Sequence, residues 1–376
     1  MEVFRAAFQH PALCRKLWTI SIMTQTTMPA AVLHGVRDLR VEQVPLPPAP
    51  ARGEVQIHIG KVGICGSDVH YFEHGRIGDF IVEKPMILGH ECSGTVVAVG
   101  EGVSHLKEGD RVAIEPGVPR LSNFASNYYM KQGRYNLCPD IFFFATPPDD
   151  GSFCSFVNHK ADFCFKLPDN VFLEEGAMIE PLSTGIYAAR VAPVKMGDTV
   201  VITGAGPIGL MNLLACKAAG ATNILISDMV ESRLEVAQQI GATATIKGGA
   251  DELQSAAREL TGGLGADVCI ECAGHPSALA AAIGACRAGG TVVLIGMPPG
   301  DSAQINVNDL IVREITLRPI FRYNNTFQTG VELLASGKVD VKPLISKRFS
   351  LREVPHAFNY VLDNRATCVK AIVDVE

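Results

Sequence analysis

The chain has 376 residues, 47% hydrophobic and 19% charged, which is the composition of a globular protein long enough for two domains. Its 33 basic and 39 acidic residues give a net charge of −6 without a basic run, so we expect no nucleic-acid partner. Glycine and proline interrupt the apolar stretches before they reach the roughly 20 residues of a membrane span, so we expect no membrane partner either.

The first 27 residues carry three basic residues and one acid, Glu2, among serines and threonines. This composition weakly resembles a mitochondrial transit segment, and a disordered leader that ends before Met28 explains it equally well. We predict a disordered leader over residues 1–27. Eleven cysteines, an odd number without a tight framework, are typical of reduced thiols inside cells. We therefore expect a cytoplasmic protein, with mitochondrial targeting as the alternative.

The chain from about residue 30 to residue 165 consists of short β-type runs separated by glycine and proline, for example Glu54–Ile64 and Gly94–Val99. This pattern predicts a mostly β domain, which we place at residues 28–181.

From about Thr199 the rhythm changes, and apolar strands alternate with helical stretches. VVITG is followed by a helix to Gly220, then by NILIS and a helix over 232–240, and the series continues through DVCIECAG, a helix near Ser277 to Ala288, and TVVLIG. This alternation predicts an α/β domain with a doubly wound parallel sheet at residues 182–320. We expect residues 321–376, with a further helix and terminal β-type runs, to rejoin the first domain.

A glycine-rich motif follows the first of these strands and opens a helix: Gly204, Ala205, Gly206, Pro207, Ile208 and Gly209. In that context the motif binds a dinucleotide. Gly204 permits the tight turn, Gly206 lets backbone N–H groups approach the pyrophosphate, and Gly209 allows close contact between helix and strand. The plain alternative is a glycine-rich loop without a ligand.

Asp228 ends the next strand, 19 positions after Gly209. A carboxylate there accepts hydrogen bonds from the ribose hydroxyls and repels a 2′-phosphate, so NAD is favoured over NADP. Arg233 is close enough to cover the adenine or to meet a phosphate. Asp228 could instead only cap the following helix.

Cys65 and, 25 positions later, the neighbours His90 and Glu91 are residue types that bind zinc. Three such ligands with an open position would make a catalytic site rather than a structural one. Adjacent ligands can face one metal only at a bend or helical turn, which Gly89 makes possible. Each residue taken alone is more often part of a packed core.

A series of ordered motifs runs from about Ala30 to the C-terminus: GICGSDVHY, ILGHECSG, GDRVAIEPG, GRYNLCPD, ATPPDDG, IEPLSTG, GAGPIG and FRYNN. In these motifs the chain resembles the zinc-dependent medium-chain dehydrogenases/reductases, in the branch of the sorbitol and xylitol (polyol) dehydrogenases. The resemblance implies a GroES-like catalytic domain and a Rossmann NAD-binding domain. It also implies the reversible oxidation of a secondary hydroxyl of a sugar alcohol to the ketose, with hydride transfer to NAD.

The resemblance further implies roles for single residues. Cys65, His90 and Glu91 would bind the catalytic zinc, and Glu180 would either hold the metal-bound water or join the metal shell itself. Ser67 would accept the proton of the substrate hydroxyl, and His70 would pass it toward solvent.

The implied substrate contacts are Tyr71, Phe143, Thr146, Glu180, Arg322 and Tyr323. Arg322 and Tyr323 could instead only line the cofactor cleft. Besides the glycine loop, Asp228 and Arg233, we expect cofactor contacts from Gly296, Met297, Pro298, Phe321, Arg322 and Tyr323.

Several relatives hold a second, structural zinc with four closely spaced cysteines after the motif Glu115-Pro116-Gly117. The corresponding stretch here, RLSNFASNYYMKQGRYNLC, contains only Cys138, so we predict one catalytic zinc per subunit and no structural zinc. Relatives commonly form dimers or tetramers through their nucleotide-binding domains, and the apolar run Val292–Ile295 is compatible with a homo-oligomer.

Two rival functions stay open at this point. The chain could oxidise another small alcohol, such as threonine or butanediol, on the same scaffold, or it could be a non-catalytic nucleotide-binding protein. The preferred polyol cannot be deduced from the sequence.

Overall fold

The structure, a computed structural model, describes residues 26–120, 127–298, 300 and 302–375. The expected leader over residues 1–27 lies almost entirely outside this part of the chain, and the first strand begins at Thr27. Within the described ranges no helix is long and apolar enough to cross a membrane.

The first half of the chain is mostly β-structure. Its strands are β1 (Thr27–Gly35), β2 (Asp38–Pro45), β3 (Glu54–Gly63), β4 (Arg76–Ile77), β5 (Phe80–Ile81), β6 (Met86–Ile87), β7 (Glu91–Val99), β8 (Arg111–Ile114), β9 (Gly117–Pro119), β10 (Ile141–Phe143), β11 (Phe156–Lys160) and β12 (Cys164–Lys166). Its helices are α1 (Gly66–His74), α2 (Tyr128–Lys131), α3 (Leu173–Ala177) and α4 (Ile179–Val191).

The second half alternates strands and helices. The strands are β13 (Thr199–Thr203), β14 (Asn223–Ser227), β15 (Ala244–Ile246), β16 (Ala266–Glu271), β17 (Cys286–Leu294), β18 (Thr316–Pro319), β19 (Ile345–Ser350) and β20 (Lys370–Asp374). The helices are α5 (Pro207–Ala219), α6 (Glu231–Ile240), α7 (Ala250–Leu260), α8 (Pro276–Ala285), α9 (Val307–Val312), α10 (Phe327–Ala335) and α11 (Val354–Asp363).

Strands β13 to β18 form a six-stranded parallel sheet in the order β15-β14-β13-β16-β17-β18. All five residues of β13 are buried, because helices cover both faces of such a sheet. The strand order reverses between β13 and β16, and the crevice at the carboxyl ends of these two strands is where this fold binds its ligands. The predicted α/β fold with a Rossmann domain is thereby confirmed.

A second large sheet contains seven strands: six follow the path β12-β8-β7-β3-β20-β19, and β11 adds to it by pairing with β3. Buried residues alternate along most of β3, as expected for a strand with one face on a core. Strand β20 runs antiparallel to β3, with Ile372 opposite Gly63, so the end of the chain completes the sheet of the first half.

Helix α4 joins the two halves. The boundary expected between residues 181 and 182 falls inside this helix, which packs directly on α5. Gly185 makes this contact possible, because a Cβ there would lie 2.7 Å from the carbonyl oxygen of Met211.

The apolar run that we considered compatible with subunit pairing does not form a free surface. Val292 and Val293 lie in β17 and are fully buried within the domain. The preceding predicted helix, near 277–288, ends earlier, because the chain turns into β17 at Cys286.

Candidate active site

The side chains of the three predicted metal ligands lie close together in the first, mostly β half of the chain. Cys65 is the residue before α1, His90 follows the turn at Gly89, and Glu91 opens β7. One ligand atom of each side chain lies within 4.8 Å of those of the other two, and His90 and Glu91 are buried. Thiolate, imidazole and carboxylate are zinc donors, so this set fits a zinc ion.

Asp68 orients this ligand set, although we did not single it out from the sequence. It is fully buried. Its carboxylate accepts hydrogen bonds from the backbone N–H of Cys65 at 3.1 Å and of Gly89 at 3.0 Å. Nδ1 of His90 lies 3.5 Å from the same carboxylate, which leaves Nε2 as the ring nitrogen available to a metal.

Lys370 is a second residue that the sequence analysis did not identify. Its buried ammonium group donates to both oxygens of Glu91, at 2.6 and 2.7 Å, and to the carbonyl oxygen of Ile64 at 3.1 Å. Burial lowers the pKa of Lys370, but the charges of Glu91, Cys65 and Glu180 outweigh burial and raise it. Lys370, on β20, therefore neutralises the charge of the Glu91 carboxylate.

Glu180 lies on α4 and is buried, but it is not part of the ligand group. Its Oε1 accepts a hydrogen bond of 2.6 Å from the hydroxyl of Tyr323. Burial raises the pKa of Glu180, and the charge of His90 opposes that shift. This contact joins the first turn of α4 to the loop after β18, 143 positions away.

Arg322 stands beside this pair. Its guanidinium carbon lies 3.6 Å from the centre of the Phe143 ring, and its Nη2 donates to Oγ1 of Thr146 at 3.3 Å. Burial lowers the pKa of Arg322 and raises that of the nearby Tyr71 to about 12. The structure thus brings the predicted substrate residues Phe143, Thr146 and Arg322 together.

Ser67 and His70 both lie on α1, immediately after Cys65. Ser67 is half-buried and His70 is exposed, with its ring 4.6 Å from that of His74. Burial, and to a lesser extent His74, lowers the pKa of His70. In the described part of the chain no hydrogen bond joins Ser67 to His70, so the structure does not connect them directly.

The glycine loop and Asp228 line a cleft of about 640 Å³ at the carboxyl ends of β13 and β14. Asp228 accepts hydrogen bonds from the backbone N–H of Ala205 at 2.7 Å and of Val230 at 2.9 Å, so it holds the glycine loop and also the entry to α6. Arg233 lies in the same cleft, 3.6 Å from Asp228.

The remaining predicted cofactor residues follow the next strands of the sheet. Gly296, Met297 and Pro298 come after β17, and Phe321–Tyr323 come after β18. Met297 is 70% exposed and Phe321 is 45% exposed, as expected of groups at the rim of a cleft. They lie at the same edge of the sheet as the glycine loop, because all its strands are parallel.

The lobe that lacks the four cysteines is fastened by polar side chains instead. The Tyr135 hydroxyl donates to Glu115 at 2.5 Å and accepts from the backbone N–H of Asn325 at 2.7 Å. Nδ2 of Asn136 donates to the carbonyl oxygen of Phe321 at 2.8 Å, and Asn324 donates to Asn136 at 2.7 Å. These bonds fix the loop that carries Arg322, whose φ of 54° is left-handed.

Some of the missed residues had a signal in the sequence. Lys370 is the one charge in the otherwise apolar run CVKAIV, which marks a buried cation that needs a partner. Asp68 accepts from Cys65, three positions away, but its bond from Gly89, 21 positions away, had no local signal. The same holds for the bond of Asn136 to Phe321, 185 positions away.

Family comparisons agree with this geometry. The family model described as "Alcohol dehydrogenase GroES-like domain" matches residues 51–169, and the one described as "Zinc-binding dehydrogenase" matches residues 207–336.

Individual proteins are similar to most of the chain. A sorbitol dehydrogenase of Gallus gallus is 48% identical over 88% of this chain and 92% of its own length. One of Bos taurus is 50% identical over 87% of this chain and 91% of its own. Among solved structures, 2R,3R-butanediol dehydrogenase from Bacillus subtilis is 33% identical, with a TM-score of 0.83, and covers 93% of this chain and all of its own.

Proposed function

The chain belongs to the family of zinc-dependent medium-chain dehydrogenases, and from that premise we propose that it is an NAD-dependent polyol dehydrogenase. The reaction is the reversible oxidation of a secondary hydroxyl of a sugar alcohol to the ketose. The substrate class follows from the sorbitol dehydrogenases, to which the chain is about half identical.

One observation carries the proposal: the zinc ligand set and a group of polar side chains suited to hydroxyls occur together. Cys65, His90 and Glu91 would hold the ion. When bound, zinc would supply Lewis acidity toward the substrate oxygen, and NAD would accept the hydride. The other steps are the work of the chain's own residues.

The polyol itself is bound by Glu180, Tyr323, Arg322 and Thr146. Glu180 and Tyr323 already share a hydrogen bond, so each is held in place before a ligand arrives. A hydroxyl both donates and accepts, and these groups offer a carboxylate, a phenol and a guanidinium in one site. An alkanol that lacks the extra hydroxyls leaves these buried groups without partners and binds poorly.

The proton of the reacting hydroxyl is taken up at Oγ of Ser67 and leaves toward solvent through His70. Ser67 is two residues beyond Cys65, and His70 is one helical turn further along α1 at the protein surface. Burial lowers the pKa of His70 and so favours the neutral ring, in which one nitrogen is free to accept a proton.

Asp228 supports NAD rather than NADP as the cofactor. Its carboxylate is fixed by two backbone N–H groups at the end of β14 and would repel a 2′-phosphate. Arg233 does not offset this, because it faces Asp228 and donates to the carbonyl oxygen of Arg365 at 2.5 Å.

We infer one zinc per subunit and no structural zinc, because the lobe around Tyr135 is fastened by hydrogen bonds and has a single cysteine. For assembly we propose a homo-oligomer, a dimer or a tetramer. Its support is the edge strand β18 next to α9, where Val307, Ile311 and Val312 are 60 to 82% exposed.

The proposal is tested by NADH formation with a panel of polyols, butanediol, threonine and simple alkanols at equal concentrations. The expected result is turnover with polyols and NAD, and little turnover with NADP or with alkanols. A preference for butanediol or threonine would overturn the polyol assignment, and NAD binding without any turnover would favour a non-catalytic protein.

A further inference from the structure

A second cavity lies on the outer side of the proposed substrate residues. Its volume is about 440 Å³, and it lies between the lobe after β9, the turn after β10 and the loop after β18. Phe143, Thr146 and Arg322 line it. These are also proposed substrate contacts, so the cavity shares a wall with the substrate site. Neither the glycine loop nor the ligand set contributes to it.

The shared wall has unused donors. The guanidinium of Arg322 stacks on Phe143, and its bond to Thr146 is its one side-chain hydrogen bond within the described ranges. A guanidinium has five N–H donors. Arg322 is partly buried at the wall of the cavity, so its remaining donors can bond to acceptor oxygens of a ligand in this space.

The cavity is also lined by an ion pair between Arg120, which follows β9, and Asp149. The second carboxylate oxygen of Asp149 accepts a hydrogen bond from the backbone N–H of Phe143 at 3.2 Å. The backbone N–H of Asp149 donates to the carbonyl oxygen of Thr146 at 2.8 Å. The turn that presents Phe143 and Thr146 to the substrate therefore also fixes the carboxylate that holds Arg120.

We propose that this cavity is a distal subsite for the hydroxyl groups at the far end of the polyol, in which Arg120 and Asp149 select for chain length. The inference rests on the proposed function, because it takes the reacting hydroxyl to lie on the metal side of Arg322. A guanidinium beside a carboxylate offers a donor and an acceptor to vicinal hydroxyls. A six-carbon alditol reaches this pair, whereas a four-carbon alditol ends at Arg322.

The charges of the lining favour a neutral polyol over a phosphorylated one. Two arginines, Arg120 and Arg322, and two aspartates, Asp140 and Asp149, line the cavity, so their formal charges cancel. A phosphate ester in this space would meet two carboxylates, whereas hydroxyl groups can bond to both kinds of side chain.

The test compares kcat/KM of the zinc-loaded wild-type enzyme and Arg120→Gln for four-, five- and six-carbon alditols with the same configuration at the reacting end. We expect the wild type to prefer the six-carbon over the four-carbon alditol, mainly through KM. Arg120→Gln should reduce that preference about tenfold, the size expected for a hydrogen bond to a charged group.

The matched control is Arg40→Gln. Arg40 also forms an ion pair with an aspartate, Asp38, but on the surface of β2. This variant should leave the ratio of the two kcat/KM values unchanged. If Arg120→Gln lowers the melting temperature, Arg120→Lys takes its place in the test. A lysine keeps the positive charge but lacks the planar, forked donors of a guanidinium, so its ratio of kcat/KM for the six- and four-carbon alditols should lie between those of the wild type and Arg120→Gln.

Two results would overturn the subsite alone. One is an equal loss for all chain lengths in Arg120→Gln, and the other is a higher kcat/KM for a terminally phosphorylated alditol than for the neutral one. If the wild type with zinc and NAD oxidises no alditol of any length, the proposed function itself fails and the subsite with it.

Discussion

The glycine loop and Asp228 of the dinucleotide cleft come from one stretch, Thr203 to Arg233, whereas the metal and substrate site draws on segments scattered from Cys65 to Lys370. In the cleft, one strand, its glycine loop, a helix and the next strand place these groups, and residues between Gly248 and Ala281 complete the lining. At the metal site, α1, β7, α4, the loop after β18 and β20 each contribute one or two side chains. The first site is thus a property of local sequence, and the second is a property of the completed fold.

If the two sites are built separately, removing a metal ligand should leave the cleft intact. In Cys65→Ala we expect the zinc content to fall toward zero and polyol turnover to fall by about 10³-fold, because a bound metal ion stabilises the charge that develops in the transition state by several kcal/mol. The dissociation constant for NADH should stay within a factor of two. Zinc analysis and fluorescence titration with NADH measure the two effects, and Cys138→Ser, in the lobe, should keep its zinc. Joint loss of zinc and NADH binding would contradict the separation.

The dependence of the metal site on the completed fold is tested at β20. Lys370→Met leaves Glu91 buried without its cation, and in the chelated protein we expect a loss of about 3 kcal/mol in the free energy of unfolding. Urea denaturation measures this loss.

The matched control for Lys370→Met is a second ion pair that β20 forms within the same sheet. Lys61 on β3 pairs with Asp374 on β20 at 2.6 Å, but both side chains are partly exposed, so Lys61→Met should cost less than about 1 kcal/mol. Equal losses of unfolding free energy in the two variants would contradict the prediction, because they would show that leaving the buried Glu91 without its cation costs no more than breaking a partly exposed ion pair.

The local character of the cleft is tested by two glycines of one loop. A Cβ at Gly206 meets no atom within 4 Å, so Gly206→Ala should fold normally. Its affinity for NADH should fall about tenfold, because the added methyl group fills the space of the pyrophosphate. At Gly209 a Cβ would lie 1.8 Å from the carbonyl oxygen of Gly204, so Gly209→Ala should lower the melting temperature as well. Unchanged NADH affinity in Gly206→Ala would show that the loop does not approach the cofactor.

The smallest expected effect concerns pH and the lobe. Burial raises the pKa of Glu115 to about 8, although its bond to Tyr135 opposes the shift. The folded protein then keeps this proton where the unfolded chain has lost it, so Glu115 lowers stability as pH rises from about 4.5 to about 8. Glu115→Gln has no carboxyl group to lose a proton, so it avoids this loss of stability. The difference in melting temperature, variant minus wild type, should therefore increase as the pH is raised from 5 to 8. A difference that does not vary with pH would mean that the carboxyl is not protonated in the folded state.

Much of the fold followed from the sequence, because the period of its apolar residues changes near Thr199. The βαβ series, the glycine loop and Asp228 could be derived from one stretch with ordinary principles. Element ends were less certain, and the helix expected to reach residue 288 ends at Ala285, where the chain enters β17.

The metal and substrate site could be predicted only in part. Residue types and Gly89 suggested a zinc site, but the inclusion of Glu180, Arg322 and Tyr323 came from resemblance to a family. No local pattern indicates that Tyr323 bonds to a side chain 143 positions away. The contacts of Asp68 with Gly89 and of Arg120 with Asp149 were missed for the same reason, since tertiary packing sets them. Lys370 stood out as the one charge in an apolar run, but the sequence did not identify Glu91 as its partner.

We propose that one zinc ion, held at Cys65, His90 and Glu91, makes this chain an NAD-dependent polyol dehydrogenase. A titration of the chelated protein with zinc, in which NADH formation from a six-carbon alditol is followed at each step, tests this proposal. The account predicts no turnover without metal and a linear return that saturates at one zinc per chain. Turnover that survives complete chelation, or that requires a second zinc per chain, would contradict it.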